Sequence, residues 1–255
     1  MKIVLIGSGN IATFFGKKFQ TAGFEIVQVI SYHLSHAEQL ANQLACSFSD
    51  NMLDVNRDAD VYLFAVKDDV LLEMAKRIFL PDKLVIHTAG SIHLHELAMM
   101  SNQLACLWCV YSISKKELPD IKDFPLVLNY SDVADKERVL QLAHAISSKH
   151  FHLDDRQKSV LHLAAVFANN FTNHLFTVCK NIVEKEGVPF EILYPIISDT
   201  TSKALGGEPE AMQTGPASRG DVETMRKHEI LLSGQPDFLD IYKVLSKSIA
   251  AKRKE

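Results

Sequence analysis

A chain of 255 residues, 47% hydrophobic and 23% charged, has ordinary globular usage and room for one large domain or two ordinary ones. A formal net charge of −4 gives no reason to expect nucleic acid or an anionic membrane as a partner. The N-terminus runs straight into an apolar stretch without a secretory pattern, the longest uncharged run (159–179) is too polar for a membrane span, and the four cysteines suggest no disulfide framework, so a cytoplasmic protein is expected.

Lys2-Ile3-Val4-Leu5-Ile6 is a β-branched apolar run, the pattern of a strand buried on both faces. Gly7-Ser8-Gly9-Asn10-Ile11-Ala12 follows at once. Residues 13–22 then read as a helix with Phe15 and Phe19 on one side, and 25–31 as a second strand. Strand, glycine turn, helix and strand within about thirty residues make the dinucleotide-binding βαβ unit. Gly7 allows the tight turn, Gly9 lets the backbone approach a pyrophosphate, and Ala12 lets the helix pack near the strand. The free N–H groups at the helix start attract phosphate charge. At the end of the second strand, where an acid would select NAD, the chain has Ser31-Tyr32-His33, with neither an acid nor an arginine. Ser31 and His33 are groups that can bind a phosphate, which favours NADP over NAD.

Residues 36–44 read as a helix, 60–66 as a strand, 70–79 as a helix and 83–87 as a strand. The loops that follow the two strands, Ala65-Val66-Lys67 and Thr88-Ala89-Gly90, fall on the sheet edge where ligands bind in this fold and are expected to flank the nicotinamide. Further strands at 104–113, 125–130 and 150–153, with a helix at 133–148, complete an α/β, Rossmann-type, mostly parallel sheet. The nucleotide-binding domain is placed at 1–153. Cys106 and Cys109 form a CxxC, but three residues apart on a strand they point to opposite faces, which argues against redox or metal chemistry. No metal site is expected.

From residue 154 onward the pattern is all-α, and 154–255 is taken as a second, helical domain. Asp154 or Asp155 can cap one long helix that runs to 186, with Gly187 and Pro189 ending it. At about 100° per residue, His162, Asn169, Asn173 and Lys180 fall within roughly 20° of one line, with Asn170 and His174 beside it. Apolar residues cover most of the remaining circumference. The helix is therefore expected to be buried, with the polar stripe as a substrate wall. A helix at 190–204 precedes the loop Gln213-Thr214-Gly215-Pro216-Ala217-Ser218-Arg219-Gly220-Asp221, in which Thr214 and Arg219 suit an anionic group. Helices at 222–232 and 236–252 follow, and the basic end Lys252-Arg253-Lys254 complements the dipole of the last one.

The Gly7-x-Gly9-Asn10-Ile11-Ala12, Ala65-Val66-Lys67 and Ala89-Gly90 motifs resemble those of pyrroline-5-carboxylate reductase. The stretch His162-Leu163-Ala164-Ala165-Val166-Phe167-Ala168-Asn169-Asn170-Phe171-Thr172-Asn173-His174, together with the Gln213 to Asp221 loop, is similar to a bacterial Rossmann-like family whose helical C-terminal part is domain-of-unknown-function family 2520. The resemblance implies an NADP-type oxidoreductase fold with a helical domain like those of 6-phosphogluconate dehydrogenase relatives, often dimeric through those helices, and hence a homodimer. It supplies no substrate. One departure stands out: relatives often carry His-Pro or Tyr-Pro-Leu-Gln where this chain has Trp108-Cys109-Val110-Tyr111-Ser112-Ile113-Ser114.

The expected activity is hydride transfer between NADP and a small C=N or C=O substrate in an interdomain cleft. His162 is the expected proton donor. Asn169, Asn170 and Asn173 would hold the substrate's polar group, and Thr214 or Arg219 its anionic end. NAD or a deazaflavin coenzyme is the less favoured cofactor. The alternative is a catalytically silent nucleotide-binding sensor or partner protein.

Overall fold

The β-branched run at the N-terminus forms β1 (Lys2–Ile6), in which Ile3 to Ile6 are all buried. In this computed structural model, which describes residues 1–116, 118–119 and 123–252, β1 lies inside an eight-stranded sheet. The other strands are β2 (Glu25–Ile30), β3 (Ser47–Ser49), β4 (Val61–Phe64), β5 (Leu84–His87), β6 (Gln103–Cys109), β7 (Leu126–Tyr130) and β8 (His150–His152). The spatial order is β3-β2-β1-β4-β5-β6-β7-β8. Strands β1 to β6 run parallel, β7 is antiparallel to β6, and β8 runs parallel to β7. The chain builds outward from β1 to β2 and β3, then returns to β4 on the other side of β1. That reversal opens the crevice between β1 and β4.

Alternation along the strands supplies two cores. Ile3 and Leu5 face one side, with Phe14, Phe15 and Phe19 of α1 (Asn10–Thr21) and Leu40 and Leu44 of α2 (Leu34–Leu44). Val4 and Ile6 face the other, with Tyr62 and with Leu71 of α3 (Asp68–Ala75). A parallel sheet covered on both faces reads as continuous apolar strands, which is why β1, β4 and β5 were legible. Cys106 belongs to the second core and Cys109 to the first. Burial pushes both thiols up to about 12, so neither is a reactive thiolate.

Element ends differ from the sequence reading in ways that have local causes. Helix α1 starts at Asn10, inside the glycine motif, because Gly9 takes the extended N-cap position. Strand β3 was not expected: Ser47-Phe48-Ser49 is short and polar, and it forms by pairing with Gln28 to Ile30 of β2. Strand β6 ends at Cys109, not at 113, because its ladder with β7 ends at Cys109↔Leu126.

Helix α4 (Val133–Ile146) packs on β6 and β7. Asp154 then caps α5 (Asp155–Ala165) in a capping box, accepting from the Gln157 N–H at 2.8 Å while Gln157 Oε1 accepts from the Asp154 N–H at 3.0 Å. The single long helix of the sequence reading is in fact three segments. A π-helical stretch, Val166–Phe171, separates α5 from α6 (Thr172–Lys185). A π turn takes about 4.4 residues against about 3.6, so the 100° wheel that aligned His162 with Asn173 and Lys180 does not hold across it.

The chain divides into two compact units, Met1–Asn170 and Phe171–Glu255. The second holds α6, α7 (Tyr194–Gly206), α8 (Pro216–Arg219), α9 (Val222–Leu231) and α10 (Pro236–Ala250). Its buried apolar residues, among the described ones, are Val178, Ala217 and Leu232. The expectation that the long helix is buried is overturned for the single chain: Leu163, Phe167 and Phe171 are exposed, and so are Asn169, Asn170 and Asn173. Of the basic end, Arg253 and Lys254 lie outside the described residues. No helix among the described residues is long and apolar enough to cross a membrane.

Candidate functional site

A cavity of about 1000 Å³ opens at the C-terminal ends of β1, β2, β4, β5 and β6, and all its lining belongs to the first unit. Its floor is the glycine turn. Gly7 has φ +117°, and a Cβ there would stand 2.3 Å from the Ala65 carbonyl oxygen, so the turn after β1 and the loop after β4 meet only because residue 7 has no side chain. Gly7 N–H donates to Ile30 O (2.7 Å) and Ala65 N–H to Ile6 O (2.8 Å), which fixes the crevice edges. Nothing lies within 4 Å of a Cβ built on Gly9. The space before the α1 N-terminus is therefore open, as a phosphate site requires. Ala12 is fully buried beneath the turn and does not line the cavity. The close helix–strand approach falls also at Gly16, where a Cβ would meet Leu5 Cδ1 at 2.8 Å.

Ser8, Asn10, Ile11, Ser31 and His33 line the same cavity, as do Ala65, Val66, Lys67, Thr88 and Gly90. Ser8 and Ser31 share a hydroxyl hydrogen bond of 2.7 Å that ties the glycine turn to the end of β2. Sequence reasoning missed three residues at that end, His36, Asp50 and the exposed Tyr32. The His33 and His36 rings are 5.1 Å apart, since residues three apart meet across the first turn of α2. A His-x-x-His pattern at the start of a helix was the available signal. Asp50 follows β3, the strand the sequence hid.

At the other end of the cavity three residues converge. A Cβ on Gly90 would stand 2.7 Å from His162 Cδ2 and 2.8 Å from Trp108 Cε2. The indole and imidazole centroids are 5.5 Å apart, tilted by 59°. Trp108 comes from the end of β6, Gly90 from the loop after β5, and His162 from the last turn of α5. The segment 108–114 thus lines the cavity through Trp108, Cys109 and Tyr111.

Behind this end lies a buried polar group that sequence reasoning also missed. Lys158, one turn before His162, is fully buried, donates to Ile92 O and pairs with Asp155 Oδ1 at 3.1 Å. Asp155 also accepts from Leu94 N–H (3.2 Å) and Asn129 Nδ2–H (3.0 Å). Burial pushes its carboxyl up, but Lys158 and the Leu94 N–H outweigh burial and hold it below the usual range. His87, wholly buried at the end of β5, accepts from Ala89 N–H at Nδ1 (3.3 Å), so Nε2 carries the proton. Nε2 has no partner among the described residues. Burial, then the Lys158 charge, lowers its pKa to about 3. His93, His95 and Asp155 bring ligand atoms within 4.8 Å of one another, a spacing that would suit a metal. The Asp155 carboxylate is already neutralised by Lys158, and the group reads as an ion pair with two neighbouring imidazoles.

Not every expected residue joins the cavity. Asn169 and Asn170 lie in the π-helical stretch, exposed and outside the lining. Asn173, Thr214 and Arg219 belong to the second unit and are exposed, Asn173 on α6, Thr214 before α8 and Arg219 at its end.

Comparison with known proteins agrees with this geometry. Residues 2–90 match the family described as NADP oxidoreductase coenzyme F420-dependent, and residues 126–249 match a domain of unknown function, DUF2520. A Bacteroides fragilis protein, classed by inference as an NADP oxidoreductase, is 32% identical over 98% of both chains, with a TM-score of 0.90. A 1-pyrroline-5-carboxylate reductase of Streptococcus pyogenes shares the fold at 16% identity and a TM-score of 0.65, covering 96% of this chain and 98% of its own. A reductive aminase of Aspergillus terreus, solved with NADPH and ethyl-5-oxohexanoate, does so at 15% and 0.69, covering 98% of this chain and 94% of its own. A search of curated protein sequences gives no match. The chain therefore belongs to the family, shared with the Bacteroides fragilis protein, that joins a Rossmann-like domain of the NADP oxidoreductase type to a C-terminal DUF2520 domain.

Proposed function

We propose that the protein is an NADP-dependent oxidoreductase that moves a hydride between the nicotinamide and a small C=N or C=O compound. The observation that carries this reading is the single cavity with the glycine turn at one end and His162, over Gly90, at the other. The turn and the α1 N-terminus would hold the pyrophosphate through backbone N–H groups. Ser31, His33 and the added His36 would hold the 2′-phosphate of NADP. Asp50 at the same end is the group that would favour NAD instead. The loops at Ala65 to Lys67 and Thr88 to Gly90 would flank the nicotinamide. The cofactor, when bound, supplies the redox chemistry. The protein's part is to orient both reactants and to exchange a proton at the His162 imidazole.

The family and the fold support an oxidoreductase reading, and the NADPH-bound reductive aminase is compatible with the cofactor. A thermal-shift titration with NADPH, NADP, NADH and NAD tests it. A ligand at about 100 times its dissociation constant adds roughly 2.7 kcal/mol, which for this size is a shift on the order of 5–10 °C. A shift with the NADP pair alone supports the reading. No shift with any of the four defeats it, and binding without turnover of any imine or ketone would favour the silent sensor.

The chain would act as a homodimer through its second unit. Phe171, Ile192, Ile196, Leu205, Leu231 and Val244 are all exposed there, against three buried apolar residues, which is too little core for 85 residues to stand alone. Sedimentation should give twice the chain mass, and Ile196→Glu with Leu231→Glu should lower it.

A further inference from the structure

We propose that the substrate of this site is a flat cyclic imine without a carboxylate, bound as its iminium cation against the Trp108 indole. This rests on the reading of the cavity as a cofactor and substrate site, and names the chemistry of its far end. Trp108 is the chain's one tryptophan. The Gly90 backbone packs against this ring and against His162, since a Cβ on Gly90 would stand 2.8 Å from Trp108 Cε2 and 2.7 Å from His162 Cδ2. Held in that way the indole has a fixed plane, and a partly buried ring face with Tyr111 nearby suits a flat partner.

Charge points the same way. Among the described lining residues the charged ones are Lys67, Asp50 and Asp68; Asp50 stands at the opposite, Ser31 end, and at this end Lys67 and Asp68 sum to +1 − 1 = 0. A bound dinucleotide adds further negative charge. No arginine is among the described residues that line the cavity, and Lys67 is followed directly by Asp68. A substrate carboxylate would therefore find no net positive charge beside the dinucleotide, whereas a cation gains from the dinucleotide's charge and from the indole face. A protonated imine is such a cation, and it is also the form that accepts hydride. The step balances: a hydride from the reduced nicotinamide forms the new C–H bond, the C=N π pair returns to nitrogen, and a neutral amine and the oxidised cofactor result.

Two measurements test this. The first needs no turnover: Trp108 emission is titrated with N-methyl-3,4-dihydroisoquinolinium, a permanent iminium, and with benzoate, an anion of similar size. The expected result is saturable quenching by the iminium at a concentration at least tenfold below that of benzoate. Equal or tighter benzoate binding overturns the proposal. The second follows NADPH oxidation with 3,4-dihydroisoquinoline, α-tetralone and pyrroline-5-carboxylate. The carboxylate-free imine should lead in kcat/KM by at least tenfold, and a lead by either of the other two overturns the proposal. Trp108→Leu should raise KM for the imine at least tenfold while leaving the thermal shift with NADPH in place, and Trp108→Phe should restore most of the loss. An unchanged KM in Trp108→Leu refutes the role of the indole. Failure of NADPH to shift the melting point, with iminium quenching intact, would defeat the cofactor reading and the substrate role with it, and leave only a cation-binding face at Trp108.

Discussion

Lowering the pH from 7 to 5 should destabilise this protein through His87 in particular. The residue is wholly buried, its Nε2–H finds no partner among the described residues, and Lys158 sits close enough to oppose a second positive charge. Its pKa falls from 6.5 to about 3 on folding. The unfolded chain thus takes up the proton first, and the contribution of the neutral form, complete above 6.5, is lost as the pH drops toward 3. At pH 5 the loss is RT ln(1 + 10^1.5), about 2 kcal/mol, against almost none at pH 7. For a chain of this size 2 kcal/mol is about 4–8 °C in Tm. The measurement is a comparison of the wild type with a variant. In His87→Asn the amide oxygen can still accept from the Ala89 N–H, and nothing at that position titrates. Urea unfolding at the two pH values should show the wild type losing about 2 kcal/mol more than the variant. Equal losses in both would refute the assignment of the buried neutral imidazole.

Three further predictions concern the site. Gly90→Ala places a methyl 2.7 Å from His162 and 2.8 Å from Trp108. Both rings must move, so overpacking should cost about 1–3 kcal/mol and shift the Trp108 emission maximum; an unchanged spectrum and Tm would contradict the close packing. Gly7→Ala meets the Ala65 carbonyl at 2.3 Å with φ +117°, and backbone strain with the clash should cost about 2–4 kcal/mol. If the variant folds, it should lose the NADPH thermal shift. Lys158→Met strips Asp155 of its ion pair, at about 2–4 kcal/mol, and raises the Asp155 carboxyl toward its ordinary range. Acid sensitivity below about pH 4 should then diminish, because the depressed carboxyl stabilises the fold only above its ordinary value and is lost on acidification.

The first thirty residues were the most legible part of the chain, because a buried parallel strand and a glycine turn each leave a local signature. Residues paired across the sheet left none. Gly90, Trp108 and His162 are far apart in sequence, and only the β5–β6 pairing and the path of α5 make them neighbours. The Lys158–Asp155 pair was equally hidden, since a lysine in an amphipathic helix reads as solvated until the loop at Ile92 is seen to cover it. The alignment of the polar stripe was lost for a different reason. A helical wheel assumes one pitch, and the π-helical stretch changes the pitch at Asn169 and Asn170 themselves. His33 was readable from its place after β2, whereas Asp50 depended on a three-residue strand with no apolar pattern.

The reversal of strand direction at β7 has an electrostatic consequence along the cavity. Strands β1, β2 and β4 each lead into an α-helix whose N-terminus begins at the cavity rim, α1 at Asn10, α2 at Leu34 and α3 at Asp68. Each contributes a partial positive charge of about half a unit there. After β5 comes a one-turn 3₁₀ helix, Leu94–Leu97, and after β6, among the described residues, the chain turns back into β7 with no α-helix. The glycine-turn side of the cavity thus receives two helix starts, α3 adds one beside the Gly90 loop, and among the described residues none follows β6. The result is a built-in voltage drop from the glycine turn to Trp108, set by strand topology and not by any side chain, which would hold a dinucleotide's phosphates at one end and leave the opposite end the more hospitable to a cation.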